Sequence, residues 1–423
     1  MKNLSTKNKD YSNIDRINST EISENLLLVS EEIPTAETYS LGFFYEVGSR
    51  DELPEVNGIA HFIEHCAFRR TNRYSSRQIA TKFESLGAYA NAYTTQESTS
   101  FYVRALKSNF LPTFKLLNDI TRNTVFLPKD IEKERQIILE EIKSYEDDPE
   151  ESIFDYGDKQ IFGQHSMGTS ILGTEESLMN IDEHKLRDYH YHNFKLGRLV
   201  ISYAGPHSHD FILNKTRLYI NRSDEPFQSP ERITPQILPN SEIDIEKSVS
   251  QSHLLIGTRI PGYCHDTRYA LPLFNILFGD GMSSRLYQNL RDRYGIAYSI
   301  YSTLQIHSDC GVFYIYAASD KNKLKRTERL IIEELDKFLN NPLKDKELQR
   351  SKEQLKTSMI LELESLSARM QSLSKSILMK SDFENIHETI EIINNIQSLD
   401  IKEIVAKYIK PDALSKIRIV PDK

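Results

Sequence analysis

Ala88-Tyr-Ala-Asn-Ala-Tyr-Thr94 is answered in the second half of the chain by Ile296-Ala-Tyr-Ser-Ile-Tyr-Ser302. Each stretch sits inside a longer segment with the pattern of a hairpin, Leu86–Ala105 and Gly295–Ala318. In the first, Tyr89–Thr95 and Ser98–Ala105 read as strands joined by Gln96-Glu97. The surroundings repeat as well. Each half begins with a strand feeding a helix, Tyr39–Phe68 and His253–Leu277. Each half ends with a helix leading to a strand: Lys185–Asn193 to Leu199–Ala204, then Ile401–Lys410 to Lys416–Val420. A repeat this long is a domain duplication, not a solenoid. The predicted class is α+β: two homologous α/β domains, each a mostly antiparallel sheet with helices packed on one face.

The repeat sets the domain boundaries. Residues 1–24 are expected to form a polar leader, 25–222 a first domain and 249–423 a second. Between them, Pro226, Pro230, Pro235 and Pro239 break any periodicity, so 223–248 reads as a linker. Within the first domain, Gly58–Phe68, Ser76–Leu86, Leu111–Asn123 and Pro128–Tyr145 read as helices. Gly87 stands at the C-cap of the second, and Pro149 lies beyond the end of the last.

The first of these helices carries His61-Phe-Ile-Glu-His65. His61 and His65 stand at i and i+4, so both imidazoles leave one face of the helix. Glu64 accompanies them. Two histidines and a carboxylate in the order H-x-x-E-H are what a zinc hydrolase needs on one helical turn. Two surface histidines on an amphipathic helix would be the plainer explanation. Apolar flanks at Ile59, Ala60, Phe62, Ile63, Ala67 and Phe68 argue against it, because buried polar groups need partners. The second half has no H-x-x-E-H counterpart, so metal chemistry is expected in the first half alone. Cys66 points away from the ligand face and is expected to be a buried structural thiol.

A catalytic zinc takes three protein ligands. Ile131–Ile142 is the candidate source of the third. Glu134 and Glu141 lie two helical turns apart on the face near Ile131, Ile138 and Ile142, while Glu132 and Glu140 fall toward solvent. Spacing favours Glu141 over Glu140 without deciding between them.

Composition narrows the function. The chain has 423 residues, 27% charged and 10% aromatic, with a formal net charge of -8. That balance argues against a nucleic-acid partner. Three scattered cysteines do not make a disulfide framework, which suggests a reducing compartment. The N-terminal segment has no apolar core of a signal peptide, and no run approaches a membrane span. A cytoplasmic enzyme without membrane contact is expected.

His61-Phe-Ile-Glu-His65, followed by Glu141 in Glu134-Arg-Gln-Ile-Ile-Leu-Glu-Glu-Ile142, closely resembles the inverzincin peptidases: pitrilysin, insulin-degrading enzyme and mitochondrial processing peptidase. Val47-Gly-Ser-Arg50, Asn57-Gly-Ile-Ala-His61 and Leu86-Gly-Ala-Tyr-Ala-Asn-Ala92 match as well. So does Gly281–Tyr298, the Arg/Tyr segment of the second half. The resemblance runs over residues 25–420, and it implies an endopeptidase with one Zn2+ per chain. His61, His65 and Glu141 would be ligands, Glu64 the general base, and Glu134 the carboxylate that orients a ligand histidine. Arg291 and Tyr298 would contact substrate and the developing oxyanion. Ala90-Asn91-Ala92 would be the edge on which a peptide adds as a strand. Two domains make half of the family's clamshell, so a homodimer is implied, with a heterodimer containing an inactive relative as the alternative. Other readings are a non-catalytic scaffold subunit and a zinc hydrolase of another amide. The chain departs from the family at Arg69-Arg70-Thr71, where members often have Lys-Gly-Thr, and its linker lacks the hinge glycines of some members.

Overall fold

The two hairpins form the matching edges of two sheets. The computed structural model describes residues 16–220, 229–263, 265, 267–379, 383 and 385–422. The first fifteen residues of the expected leader, residues 223–228 of the expected linker, and Cys264 lie outside them.

The first sheet is built from β1 (Ile17–Ser23), β2 (Leu26–Glu32), β3 (Thr38–Tyr45), β4 (Tyr89–Thr94), β5 (Thr99–Leu106) and β6 (Leu199–Gly205), in the order β1-β2-β6-β3-β5-β4. The second is built from β7 (Glu242–Lys247), β8 (Ser252–Pro261), β9 (Ala297–Ile306), β10 (Cys310–Ser319) and β11 (Ser415–Pro421), in the order β7-β11-β8-β10-β9. In each sheet one pair is parallel, β2 with β6 and β7 with β11, and the rest are antiparallel. Strand for strand, β2-β6-β3-β5-β4 matches β7-β11-β8-β10-β9, so the duplication extends to topology and direction.

Two expected boundaries are corrected. Ile17–Ser23, placed in the leader, is β1, paired antiparallel with β2. Its composition is bland, and its partner strand supplies the order. Glu242–Lys247, placed in the linker, is β7; its alternating Ile243 and Ile245 pack on the second sheet.

The first half carries α1 (Ile59–Ala67), α2 (Ser76–Ser85), α3 (Phe110–Arg122), α4 (Pro128–Asp147), α5 (Pro149–Phe162), α6 (Glu175–Asn180), α7 (Glu183–His190) and α8 (His209–Tyr219). The second carries α9 (Ala270–Phe278), α10 (Leu324–Asn340), α11 (Asp345–Glu362), α12 (Leu366–Leu378), α13 (Ile386–Asn395) and α14 (Ser398–Tyr408). Pro149 does more than end α4. It is the first residue of α5, capped by Asp148, whose carboxylate accepts from Glu150 N and Glu151 N.

Strand alternation gives each sheet two apolar faces. On β3, Leu41, Phe43 and Tyr45 join Ile59, Phe62 and Ile63 of α1 in the first core. Phe44 points the other way, to Met370 and Leu373 of α12. On β8, Leu254 and Ile256 face α9, whereas Leu255 meets Ile153, Ile161 and Phe162 of α5. Thus the helix on the far face of each sheet comes from the opposite half. Ser202 donates to Met370 O at 2.6 Å, and Tyr314 donates to Asp158 Oδ1 at 2.6 Å. Gly42 permits the close approach of α12, since a Cβ there would meet Met370 Sδ at 2.4 Å.

The turns of the two hairpins also meet. Arg50 makes a bidentate pair with Asp309 of the β9–β10 turn, at 2.8 Å on both oxygens, and donates to Glu97 of the β4–β5 turn at 2.6 Å. Glu97 accepts from Ser308 N and Oγ at 2.9 and 2.6 Å. Arg232 bonds both oxygens of Asp51 and Glu97 O.

Candidate metal centre

The centre starts from how α1 begins. Glu52 turns back onto the helix: Oε2 accepts from Gly58 N at 2.7 Å and Asn57 Nδ2 at 2.9 Å, and Oε1 from Ala60 N at 2.8 Å. Such first-turn N–H groups have no partner within a helix. Gly58 sits at φ 92°, and a Cβ would meet Leu172 O at 2.6 Å, so the helix entry requires glycine. Burial drives the Glu52 carboxyl up to about 8, against the pull of the Ala60 and Gly58 N–H groups.

From this fixed start, the i and i+4 spacing sets the His61 and His65 rings edge to face, with centroids 4.6 Å apart and planes inclined at 67°. α4 packs alongside α1 and brings two glutamates to them. Glu141 Oε2 lies 3.9 Å from His61 Nε2 and 3.5 Å from His65 Nε2. One ligand atom from each of His61, His65 and Glu141 falls within 4.8 Å of the others, and no second such group of three occurs among the described residues. Glu140, the alternative, is exposed and pairs with Lys143 at 2.9 Å.

Two imidazole nitrogens and one carboxylate oxygen are the donor set that a catalytic zinc takes from protein. The protonation states suit it. Burial, then the neighbouring His65, lowers the His61 pKa to about 4, so its ring is neutral near neutral pH. A hydrogen bond from His65 holds the Glu141 carboxyl below its ordinary value, with burial opposing. The residues therefore fit a zinc ion. Their supports differ: His65 Nδ1 donates to the buried Glu134 Oε2 at 3.1 Å, whereas the buried His61 Nδ1 has no partner.

Glu64 is not one of the three. Its Oε2 accepts from Thr94 Oγ1 of β4 at 2.6 Å. Burial raises its pKa, with Thr94 and His65 opposing and Glu141 adding to the rise. Cys66 is buried, as expected, and burial pushes its thiol up to about 12.

β4 is a free sheet edge, bonded to β5 alone. It carries the half-buried Ala90 and Ala92 and the exposed Asn91, whose Oδ1 accepts from Ala92 N at 2.9 Å. Arg291 and Tyr298 are elsewhere. Arg291 lies exposed in a π-helical turn, Tyr287–Arg293, with its guanidinium 4.9 Å above the Tyr287 ring. Tyr298 is 58% exposed on the edge strand β9. No hydrogen bond or ion pair among the described residues joins either of them to His61, His65 or Glu141.

Sequence reasoning missed three neighbours of the centre. Thr94 ends the very strand whose alternation was read. Arg69 pairs with Glu134, and Arg70 with Asp130 at 2.8 Å, so the Arg-Arg departure is anchored on α4. Glu52 left no local signal, because its role depends on a loop folding back.

Comparison with known proteins gives two adjoining family matches along the chain. The family model "Insulinase (Peptidase family M16)" matches residues 27–175, and "Peptidase M16 inactive domain" matches residues 180–355. An uncharacterized zinc protease of Bacillus subtilis is 34% identical over 381 residues, spanning 89% of this chain and 91% of that protein. One of Mycobacterium leprae is 32% identical over 384 residues, spanning 89% and 86%. A protease from Helicobacter pylori shares the fold with a TM-score of 0.90 at 19% identity, over 96% of this chain and 99% of that one.

Proposed function

The chain belongs to peptidase family M16, and from that premise we propose that it is a zinc-dependent endopeptidase cutting internal bonds of extended or unfolded peptides. The observation that carries the proposal is the convergence of His61, His65 and Glu141 beside a half-buried Glu64 held by Thr94. These three residues would hold one zinc ion. When bound, zinc supplies Lewis acidity toward a peptide carbonyl and an adjacent water.

The protein's own groups do the rest. Glu64 has the raised basicity to take a proton from the attacking water. The water oxygen bonds to the carbonyl carbon, the C–N bond breaks, and Glu64 returns the proton to the leaving amine. Glu134 fixes the tautomer and aim of His65. The unpaired edge of β4 offers backbone groups for an incoming strand, at Ala90, Asn91 and Ala92. Folded substrates cannot present such a strand, which favours unstructured peptides.

Arg291 and Tyr298 suit an oxyanion role chemically, and their exposure leaves them available to a partner. We assign them to a homodimer in which one chain's second half faces another chain's metal site. A heterodimer with an inactive relative is the alternative assembly. No helix among the described residues is long and apolar enough to cross a membrane. Among the described residues, Cys66 and Cys310 are free and buried, which suits a reducing, cytoplasmic setting.

A scaffold role is the competing reading, favoured by the inactive-domain match over residues 180–355. Purified wild type and Glu64→Gln, assayed for bound zinc and for cleavage of unstructured peptides, separate the two. The expected result is zinc in both proteins and cleavage in wild type alone. A wild type that binds no zinc and cuts nothing overturns the peptidase assignment.

A further inference from the structure

The free edge of β4 shows which of its backbone groups an added strand would meet. The β4–β5 ladder runs on into its turn, where Thr95 N donates to Ser98 O at 2.8 Å. Backbone groups alternate sides along an antiparallel edge. Those of Tyr89, Asn91 and Tyr93 therefore face β5, and those of Ala90, Ala92 and Thr94 face outward. Ala92 N agrees, since its partner is a side-chain oxygen, Asn91 Oδ1, at 2.9 Å. A peptide strand added here bonds to Ala90 and Ala92. Its residues opposite Tyr89 and Asn91 place their side chains on the same sheet face as those two.

We propose that this edge selects peptides with an acidic residue at the position opposite Tyr89, and that Arg104 is the specificity-determining residue.

Arg104 is the cross-strand partner of Tyr89, and both are exposed. Its guanidinium lies 4.4 Å from the centre of the Tyr89 ring, so its charge is carried from β5 onto the edge strand. An added strand would run ~4.8 Å beyond β4, where directly opposite side chains touch. No hydrogen bond or ion pair engages the Arg104 guanidinium among the described residues; its recorded contact is the ring. The fork of donors is thus open to a carboxylate, which an arginine can hold through two parallel hydrogen bonds. The chain as a whole carries a net charge of -8, which disfavours acidic peptides. A preference for acid at a single position therefore needs a local cation, and Arg104 supplies it.

The distance from the cut follows from the strand. Thr94, bonded to Glu64, marks the end of β4 at which the proposed base acts. Tyr89 stands at the other end of β4, about 16 Å back at ~3.3 Å per residue. The acidic residue accordingly lies about three to five residues from the scissile bond, on one side of it.

This preference presupposes the peptidase assignment, and one experiment separates the two. Wild type is incubated with a mixture of synthetic unstructured peptides, and the cuts are mapped by mass spectrometry. Asp and Glu are expected to be enriched at one position that far from the cut. Fluorogenic peptides with Glu, Gln or Lys at that position are then compared. We expect kcat/KM to be about threefold higher for Glu than for Gln and lower still for Lys, with the difference in KM. Arg104→Glu should reverse the order of Glu and Lys, and Arg104→Gln should level it, both variants being checked by thermal melting. If Arg104→Glu fails to fold, Arg104→Gln carries the comparison. Cleavage without a charge preference, a preference confined to positions adjoining the cut, or the wild-type order in a folded Arg104 variant overturns the inference alone. Cleavage of no peptide overturns the peptidase assignment, and this preference with it.

Discussion

Thr94 Oγ1 donates to Glu64 Oε2 across 2.6 Å, joining the edge strand of the first sheet to the carboxylate of the motif helix. The strand proposed to receive substrate therefore also aims the proposed base. Thr94→Val removes the donor while keeping the branched shape. We expect kcat to fall roughly tenfold, with KM and zinc content near wild type and Thr94→Ser restoring most of the rate. Steady-state kinetics with metal analysis provide the check. A variant with unchanged kcat would remove Thr94 from the mechanism.

Glu134 is shared by His65 and Arg69. Glu134→Gln should weaken zinc binding by about 10–100-fold, measured by competition with a chromogenic chelator. Arg69→Met acts differently. It leaves a buried carboxylate with less compensation but keeps the contact to His65. Its cost should appear as stability, on the order of 1–2 kcal/mol, since the arginine is 30% exposed.

The Arg50–Asp309–Glu97 cluster lies where the hairpin turns of the two halves meet. Arg50's side chain is 1% exposed, and Arg50→Met removes the cation that Glu97 and Asp309 share, leaving them their neutral donors at Ser308 and Thr234. The expected loss is about 3–5 kcal/mol by denaturant unfolding. Asp309 is 26% exposed, so Asp309→Asn should cost less. Equal losses would show that burial does not set the difference.

Asp158 gives a pH signature. Burial raises its pKa from 3.8 to about 7, opposed by the Tyr314 hydroxyl and assisted by Asp155. The folded chain thus holds a proton that the unfolded chain releases. This contribution is full below about 4, falls as pH rises toward 7, and is flat above. Asp158→Asn keeps an acceptor for Tyr314 and cannot titrate. Denaturant unfolding at pH 5 and 7.5 should show wild type losing stability relative to the variant as pH rises. A constant difference would mean that Asp158 is ionised throughout.

What could be read in advance follows from how local the cause is. The His61–His65 face needs one helical turn, and the choice of Glu141 needs two. Both are periodicities, and the structure brings these donors together. β4 and β5 were legible because tyrosines and small residues alternate. β1 was not, because Ile17–Ser23 has little apolar content and is ordered by pairing with β2. β7 was hidden behind Pro230, Pro235 and Pro239, although Ile243 and Ile245 carried its period. Glu52 and the pairing of Arg69 with Glu134 depend on segments meeting in space, which no local pattern records.

The placement of α5 on the second sheet and α12 on the first makes the chain resemble a swapped dimer fused end to end. Each half has lent its counterpart helix to the other. A gene cut between residues 220 and 242 would yield two fragments, each with an apolar sheet face stripped bare and a helix without its seat. Expressed alone, each should aggregate; expressed together, they should find each other. The inheritable unit of this fold is the reciprocal pair, and neither repeat can diverge on that face without the other's consent.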